Sequence, residues 1–435
     1  MSTSDTLGTP VPPAEARVSL TLTTWALFTS LAALLTGVGL YATLSGVRAE
    51  LERFGTMYIG VIGAVYYGGF ILGSRAALHV VGTVGHIRVF SALCSLMSAI
   101  TLVSGLIVHP LSWIVLRFLS GACLAGIYVV AESWLNQLAS NANRGRLLSF
   151  YGMLTTISYG LGQLLFGLID PLTLTGFAFA TIALSAAIAP VALSAVANPP
   201  PIRRPEPVSI RQLMAEAATG VVAAILVGAT IGAFISFLPI YAARSGMAFV
   251  AVGAFVAMPP LGSLILHMPV AVLSDRGDRR IVGAGSATIA AGACGVLWMA
   301  GPSSPIGFLA AAVIGGTMYP LYSIAGAYTN DQLSPERLTA AASQIVILFG
   351  VGSFIGPLIV AMVIRTAGDA GFPWTVLVMH GLIAVFLMVR VVQYPPADRA
   401  VPSRDVALDS RVLQIPATVA GMGRRLRPRP RQRRR

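Results

Sequence analysis

Apolar runs of about twenty residues alternate with short polar breaks along most of the chain. Reading runs against breaks predicts spans near 23–47, 55–74, 89–108, 112–135, 147–169, 174–196, 217–241, 248–272, 281–301, 306–328, 340–364 and 374–394. Many reach the roughly 20 residues that cross a hydrocarbon core of about 30 Å. Lipid offers no partner to a bare backbone N–H or C=O, so such runs are expected to be helices. The first 22 residues are polar, and the first apolar run is too long for the core of a cleaved leader. The pattern predicts an all-α membrane protein with twelve transmembrane helices.

Composition agrees. Of the 435 residues 56% are hydrophobic and 10% charged, against about 25% charged in soluble domains. Cys94, Cys123 and Cys294 lie inside apolar runs, an odd number in a buried setting, and read as small core residues rather than a disulfide framework. No spacing suggests a metal site, and no cofactor is expected.

The net charge of +13 comes from arginine alone, since the chain has no lysine. Eleven of the 29 arginines fall in the last 41 residues, ending RRLRPRPRQRRR. That tail, 395–435, is predicted to be disordered and to sit against anionic lipid on the cytoplasmic leaflet. Partner or nucleic-acid binding is the rival use of so basic a tail; nucleic acid is not the expected partner. Elsewhere, one set of loops holds twelve arginines, and the other only Arg48, Arg53, Arg244 and Arg365. The arginine-rich side is expected to be cytoplasmic, with both termini there and the protein in a cell (inner) membrane.

The polar connector NPPPIRRPEPVSIRQL (198–213) interrupts the chain near its middle, and SIRQLMAEA after it has the pattern of a short surface helix. The expected organisation is a cytoplasmic segment (1–22), a six-helix half (23–197), a linker (198–216), a second six-helix half (217–394) and the tail. A shift of 194 residues superposes span four on span ten and span five on span eleven. Gly121 then falls on Gly315, Tyr128 on Tyr322, Asn136 on Asn330 and Gly162 on Gly356.

Two parallel six-helix repeats resemble the major facilitator superfamily, and the loops carry that resemblance further. The superfamily has a signature, roughly G-x-L-a-D-R-x-G-R-K, after its second helix and often again after its eighth. AVLSDRGDRR (271–280) resembles the second copy: Asp275, Arg276, Arg279 and Arg280 match, while Ala271 and Asp278 replace its glycines. A carboxylate there can cap a helix or pair with arginines of another helix, latching one side in one conformation; arginines that only set topology are the alternative. In the first copy, GSRAALHVVGTVGHIRVF (73–90), Gly85 and Arg88 remain but Gly82 occupies the aspartate position. That copy cannot form the usual carboxylate latch. GHIRVF, ESWLN (132–136), NRGRLLSFYG (143–152) and PLYSIAGAYTND (320–331) resemble the YcaD-like permease branch over about residues 20–395.

Arg117 is the one arginine expected well inside a span. Together with Gly121, Tyr128 and Glu132 it falls on a stripe about 60° wide at 100° per residue. Arg117 and Glu132 stand roughly 22 Å apart along the helix, too far to pair. A charge facing lipid costs at least about 2.5–3.5 kcal/mol, so the stripe should face the protein interior or a water-filled cavity. The resemblance implies a cavity ringed by spans one, four, seven and ten. Span ten carries a related stripe of Gly315, Tyr319, Tyr322 and Gly326, whose tyrosines offer hydroxyls and ring faces. Gln163 and Gln344 are further polar groups that need partners in lipid. Glu132 has two readings: a proton carrier, or a structural group bonded to Asn136, Arg144 or a loop amide. His267 and His380 read as structural. Gly352, Gly356 and Pro357 in span eleven read as close helix packing. The similar drug–proton antiporter signature belongs to span five, where Ser158 and Gln163 break it.

The resemblance implies a monomer that carries a small solute by alternating access, with protons as the default coupling ion. A membrane enzyme is disfavoured, because the chain has no H-E-x-x-H, no G-x-S-x-G and no phosphate-binding G-x-x-x-x-G-K-[ST]. The alternative is a membrane sensor or scaffold acting through the basic tail.

Overall fold

A computed structural model describes residues 14–139, 143–194, 209–334 and 337–394. The Arg-rich tail, the linker through 208 with Arg203 and Arg204, and residues 1–13 lie outside the described residues. Among the described residues the fold is all helix and turn: α1 Ala14–Leu51, α2 Thr56–Val84, α3 His86–Leu106, α4 Pro110–Leu138, α5 Arg144–Leu165, α6 Thr175–Ala186, α7 Ile188–Ala192, α8 Ile210–Arg244, α9 Phe249–Arg276, α10 Arg279–Ala300, α11 Pro305–Asp331, α12 Leu338–Ala367 and α13 Gly371–Gln393. The pair α6–α7 forms the sixth span, broken near Ala187. The short surface helix expected before span seven is joined to it. Ser209 and Gln212 cap the start of α8 reciprocally, and a kink at Ala217 turns the chain into the span.

Eleven segments among the described residues are long and apolar enough to cross a membrane. The expected twelfth, α5, is not one of them, because its sequence mixes Arg144, Arg146, Thr155, Thr156, Ser158, Tyr159 and Gln163 into its apolar residues. Packing accounts for that polarity: α5 lies between α1 and α9, away from a fully lipid-facing position. The outward belt is apolar, with Leu168, Ile182, Ile265 and Met299 more than half exposed.

The helices pack as two copies of one pattern. In the first half α1 packs on α5 and α6, α2 on α4, and α3 on α4 and α6. In the second half α8 packs on α12 and α13, α9 on α11, and α10 on α11 and α13. The halves meet reciprocally, α2 against α12 and α9 against α5. Glycines matched by the 194-residue shift make matching contacts. A side chain at Gly121 would strike the Tyr66 carbonyl of α2, and one at Gly315 would strike Pro259 of α9. Gly162 lies against Thr36 of α1 as Gly356 lies against Ala229 of α8. Gly352 meets Ile225 of α8 in the same way, so span eleven packs backbone to backbone as its small residues suggested.

The bundle has two ends. The Glu50 end carries the α1–α2, α8–α9 and α12–α13 turns. The Asp275 end carries the α2–α3 and α9–α10 turns.

Candidate functional site: a central cavity and two unlike ends

A cavity of about 220 Å³ lies between the halves. All four helices implied by the family resemblance contribute to it: α1 gives Tyr41 and Ser45, α4 gives Arg117 and Tyr128, α8 gives Ile235 and Ser236, and α11 gives Tyr319 and Tyr322. The reciprocal pairs α2–α12 and α5–α9 complete the wall with Tyr66, Tyr67 and Phe70, Phe349, Thr155 and Tyr159, and Ser263 and His267. Helical periodicity explains these groupings. On α2, residues 59, 62, 63, 66, 67 and 70 recur at intervals of three and four and so share one face.

Arg117 projects into this space from α4. Its guanidinium carbon lies 4.7 Å from the centre of the Tyr66 ring and 5.2 Å from that of Tyr41. These are cation–π distances. Its Nε is buried without a hydrogen-bond partner. Tyr128, Tyr319 and Tyr322 line the same cavity. The small members of those stripes do other work: Gly121 and Gly315 admit neighbouring helices, while a Cβ at Gly326 would meet nothing within 4 Å.

Glu132 stands apart from the cavity lining. It is 9% exposed, the Tyr151 hydroxyl donates to its carboxylate, and its Oε2 is buried without a partner. The Asn136 side chain donates to its main-chain oxygen (2.9 Å) rather than to its carboxylate. Gln163 and Gln344 also lie outside the lining, each with a buried, unpartnered Oε1. His380 is buried with Nδ1 2.8 Å from the Val376 carbonyl and Nε2 unpartnered; His267, read from the sequence as structural, lines the cavity, its Nε2 also unpartnered.

At the Asp275 end the signature residues lie close together. Arg279 pairs with Asp275 (2.9 Å) and with Asp331 at the end of α11 (2.6 Å). Asp278 caps α10 through the Arg280 amide. It also holds the Arg280 guanidinium (2.7 Å), which donates to the Arg390 and Tyr394 carbonyls at the end of α13. Both clusters lie within the second half. Arg276 is exposed. In the first half, Gly85 turns the chain between α2 and α3 with φ at 96°, a value that favours glycine. Arg88 is exposed there, and His86 bonds to Ser133 of α4 at 3.0 Å.

The Glu50 end joins the halves. Arg244, at the end of α8, reaches Glu50 of α1 (2.8 Å), Thr56 of α2 (3.0 Å) and Asp369 in the α12–α13 turn (2.8 Å). Nearby, the Phe166 and Phe249 rings meet across the halves, 6.1 Å between centres. Glu50 and Arg244 are themselves 194 residues apart, so the ion pair links equivalent positions of the two halves. Opposite charges at repeat-equivalent span ends were the sequence signal for this contact. Tyr41, Tyr66, Tyr67 and Tyr159 are among the cavity-lining residues that sequence reasoning missed.

The relatives agree with this architecture. A family model described as Major Facilitator Superfamily matches residues 18–259 and 220–431. The uncharacterised MFS-type transporter YcaD of Escherichia coli (strain K12 / DH10B) is 26% identical over 346 residues, covering 79% of this chain and 89% of that protein. Among solved structures, the nucleoside transporter NupG superposes with a TM-score of 0.68 at 12% identity, covering 86% of this chain and 100% of that one. A bacterial homologue of the human lysosomal transporter Spinster superposes at 0.67 and 15% identity, covering 88% and 98%. With its model matched over nearly the whole length and its helices packed as two reciprocal halves, the chain is a multi-pass membrane protein that belongs to the Major Facilitator Superfamily.

Proposed function

We propose that the chain is a secondary transporter that carries a small solute by alternating access, its halves (23–197 and 217–394) rocking about the central cavity. The observation that carries this reading is the cavity itself: it is walled by both halves, and the Arg244 ion pair ties those halves at the Glu50 end. A cavity shared between two bodies changes its access when they rock. Arginine placement favours the Asp275 end as cytoplasmic, with both chain ends on that side of an inner membrane. The structure then corresponds to the state closed to the outside. Asp275, 58% exposed, stands ready to contact the first half when the cytoplasmic ends approach, with Arg276, Arg279 and Arg280 beside it and Gly85 and Arg88 opposite.

Protons are the coupling ion in this reading, and Glu132 is their carrier. Its carboxylate has one unbonded oxygen, and the hydroxyls of Tyr151 and Tyr128 are its neighbours. Gln163 and Gln344 are proposed to bond to the solute or to water as the halves move. The test is a screen of solutes for thermal stabilisation of the purified protein, followed by flux of a hit into proteoliposomes. Glu132→Gln should abolish accumulation driven by a pH gradient and leave solute exchange intact. Undiminished accumulation would end Glu132's role, and no flux of any stabilising solute would end the transport reading.

A further inference from the structure

The cavity's charge is unbalanced. Among the described residues Arg117 is the one charged side chain in its lining, and no carboxylate, asparagine or glutamine joins it there. Glu132, the acidic residue of the same helix, is outside the lining and about 22 Å along the helix, too far to neutralise it. Arg117 is partly exposed, with its Nε buried; a guanidinium drawn away from water is normally paired with a counter-charge, because its desolvation costs several kcal/mol. Here the ring faces of Tyr41 and Tyr66 take part of that role, and the in-plane Nε–H remains unbonded. A planar oxyanion suits such an edge, since carboxylate oxygens accept in parallel from guanidinium N–H groups.

The rest of the wall selects the other half of a ligand. Tyr67, Tyr128, Tyr159, Tyr319, Phe70 and Phe349 present rings, and isoleucines cover the part nearest the Glu50 end. Rings stack on rings and on apolar plates. Ser45, Thr155, Ser236, Ser263 and the His267 ring add scattered polar groups, but a densely hydroxylated sugar would find none of the amide or carboxylate groups that take several of its hydrogen bonds at once. A cation would face Arg117 with nothing negative in the lining.

We propose that the cavity takes an aromatic organic monoanion, its oxyanion on the edge of Arg117 and its ring among the tyrosines. This rests on reading the cavity as the solute's seat, and it names the class of solute.

Isothermal titration of the purified full chain with four probes tests it: 2-naphthoate, the neutral 2-naphthamide, the cationic 2-naphthylmethylammonium and the non-aromatic cyclohexanecarboxylate. A charge-assisted bond predicts 2-naphthoate tighter than 2-naphthamide by about tenfold or more, with the ammonium weakest and cyclohexanecarboxylate weaker than 2-naphthoate. Arg117→Gln should erase the preference for the acid over the amide, and Arg117→Lys should restore part of it. Equal affinities for acid and amide, a preference that survives in Arg117→Gln, or tighter binding of the ammonium would overturn the proposal. The wild-type ranking decides the matter even where a variant fails to fold. Ranked binding without flux supports the site while removing the transport reading; flux of a sugar or cation with no 2-naphthoate binding does the reverse.

Discussion

The two ends of the bundle both carry clusters of charged side chains and use them in opposite ways. At the Glu50 end Arg244 bridges the halves, with partners on α1, on α2 and in the α12–α13 turn. At the Asp275 end Arg279 and Arg280 bind α9, α11 and α13, all in the half they belong to. One set holds two bodies together; the other makes one body rigid. A protein that rocks needs both kinds, because a half that flexed internally would not transmit closure from one end to the other.

That difference can be broken at Arg244 first. Arg244 is 16% exposed and Glu50 25%, so the bridge should contribute about 1–2 kcal/mol, between the values for surface and buried pairs. Arg244→Ala should therefore move the balance toward opening of the Glu50 end by about tenfold. The readout is alkylation in a Ser45→Cys background, since Ser45 lines the cavity near that end and is 3% exposed. A membrane-impermeant maleimide added from the Glu50 side should label the introduced thiol about tenfold faster when Arg244→Ala is present. An unchanged rate would remove the bridge's role.

A smaller effect belongs to Asp275. If it contacts the first half only when the Asp275 end closes, Asp275→Asn should oppose Arg244→Ala. Combining the two should then slow labelling at position 45 about two- to threefold relative to Arg244→Ala alone, an effect of under 1 kcal/mol for an exposed pair. A combined variant that labels as fast as Arg244→Ala would limit Asp275 to its pair with Arg279. The smallest effect is expected from Asp331→Asn. It should lower the thermal stability of the purified protein by at most about 1 kcal/mol, since Asp331 is half exposed, and leave labelling at position 45 unchanged. A change in labelling would mean that the two kinds of charge cluster are coupled.

Much of the fold could be read from the chain. Apolar length predicted the spans, and the 194-residue shift predicted the pairing of Gly121 with Gly315 and Gly162 with Gly356, which the packing repeats. Arg117 and the tyrosines of α4 and α11 were legible because charge is rare in lipid-spanning helices and shares a face with neighbours at helical spacing. Tyr41, Tyr66, Tyr67 and Tyr159 were not. On a single helix a tyrosine facing a cavity looks the same as one facing another helix, and the rotation of α1, α2 and α5 toward one space is set by packing between distant segments. Span five was legible by position but is too polar to pass as a membrane helix on composition. The Arg244 bridge was hidden for another reason. Its partners are 194 and 125 residues away, and each reads alone as a loop charge.

Distances between the halves at both ends test alternating access most directly. Spin labels on Glu52 and Ala248 report the Glu50 end, and labels on Arg88 and Arg276 report the Asp275 end, read by electron–electron double resonance in lipid. The account predicts that Arg244→Ala lengthens the first distance and shortens the second together. A variant in which one distance changes while the other stays fixed, or in which neither changes, would contradict it.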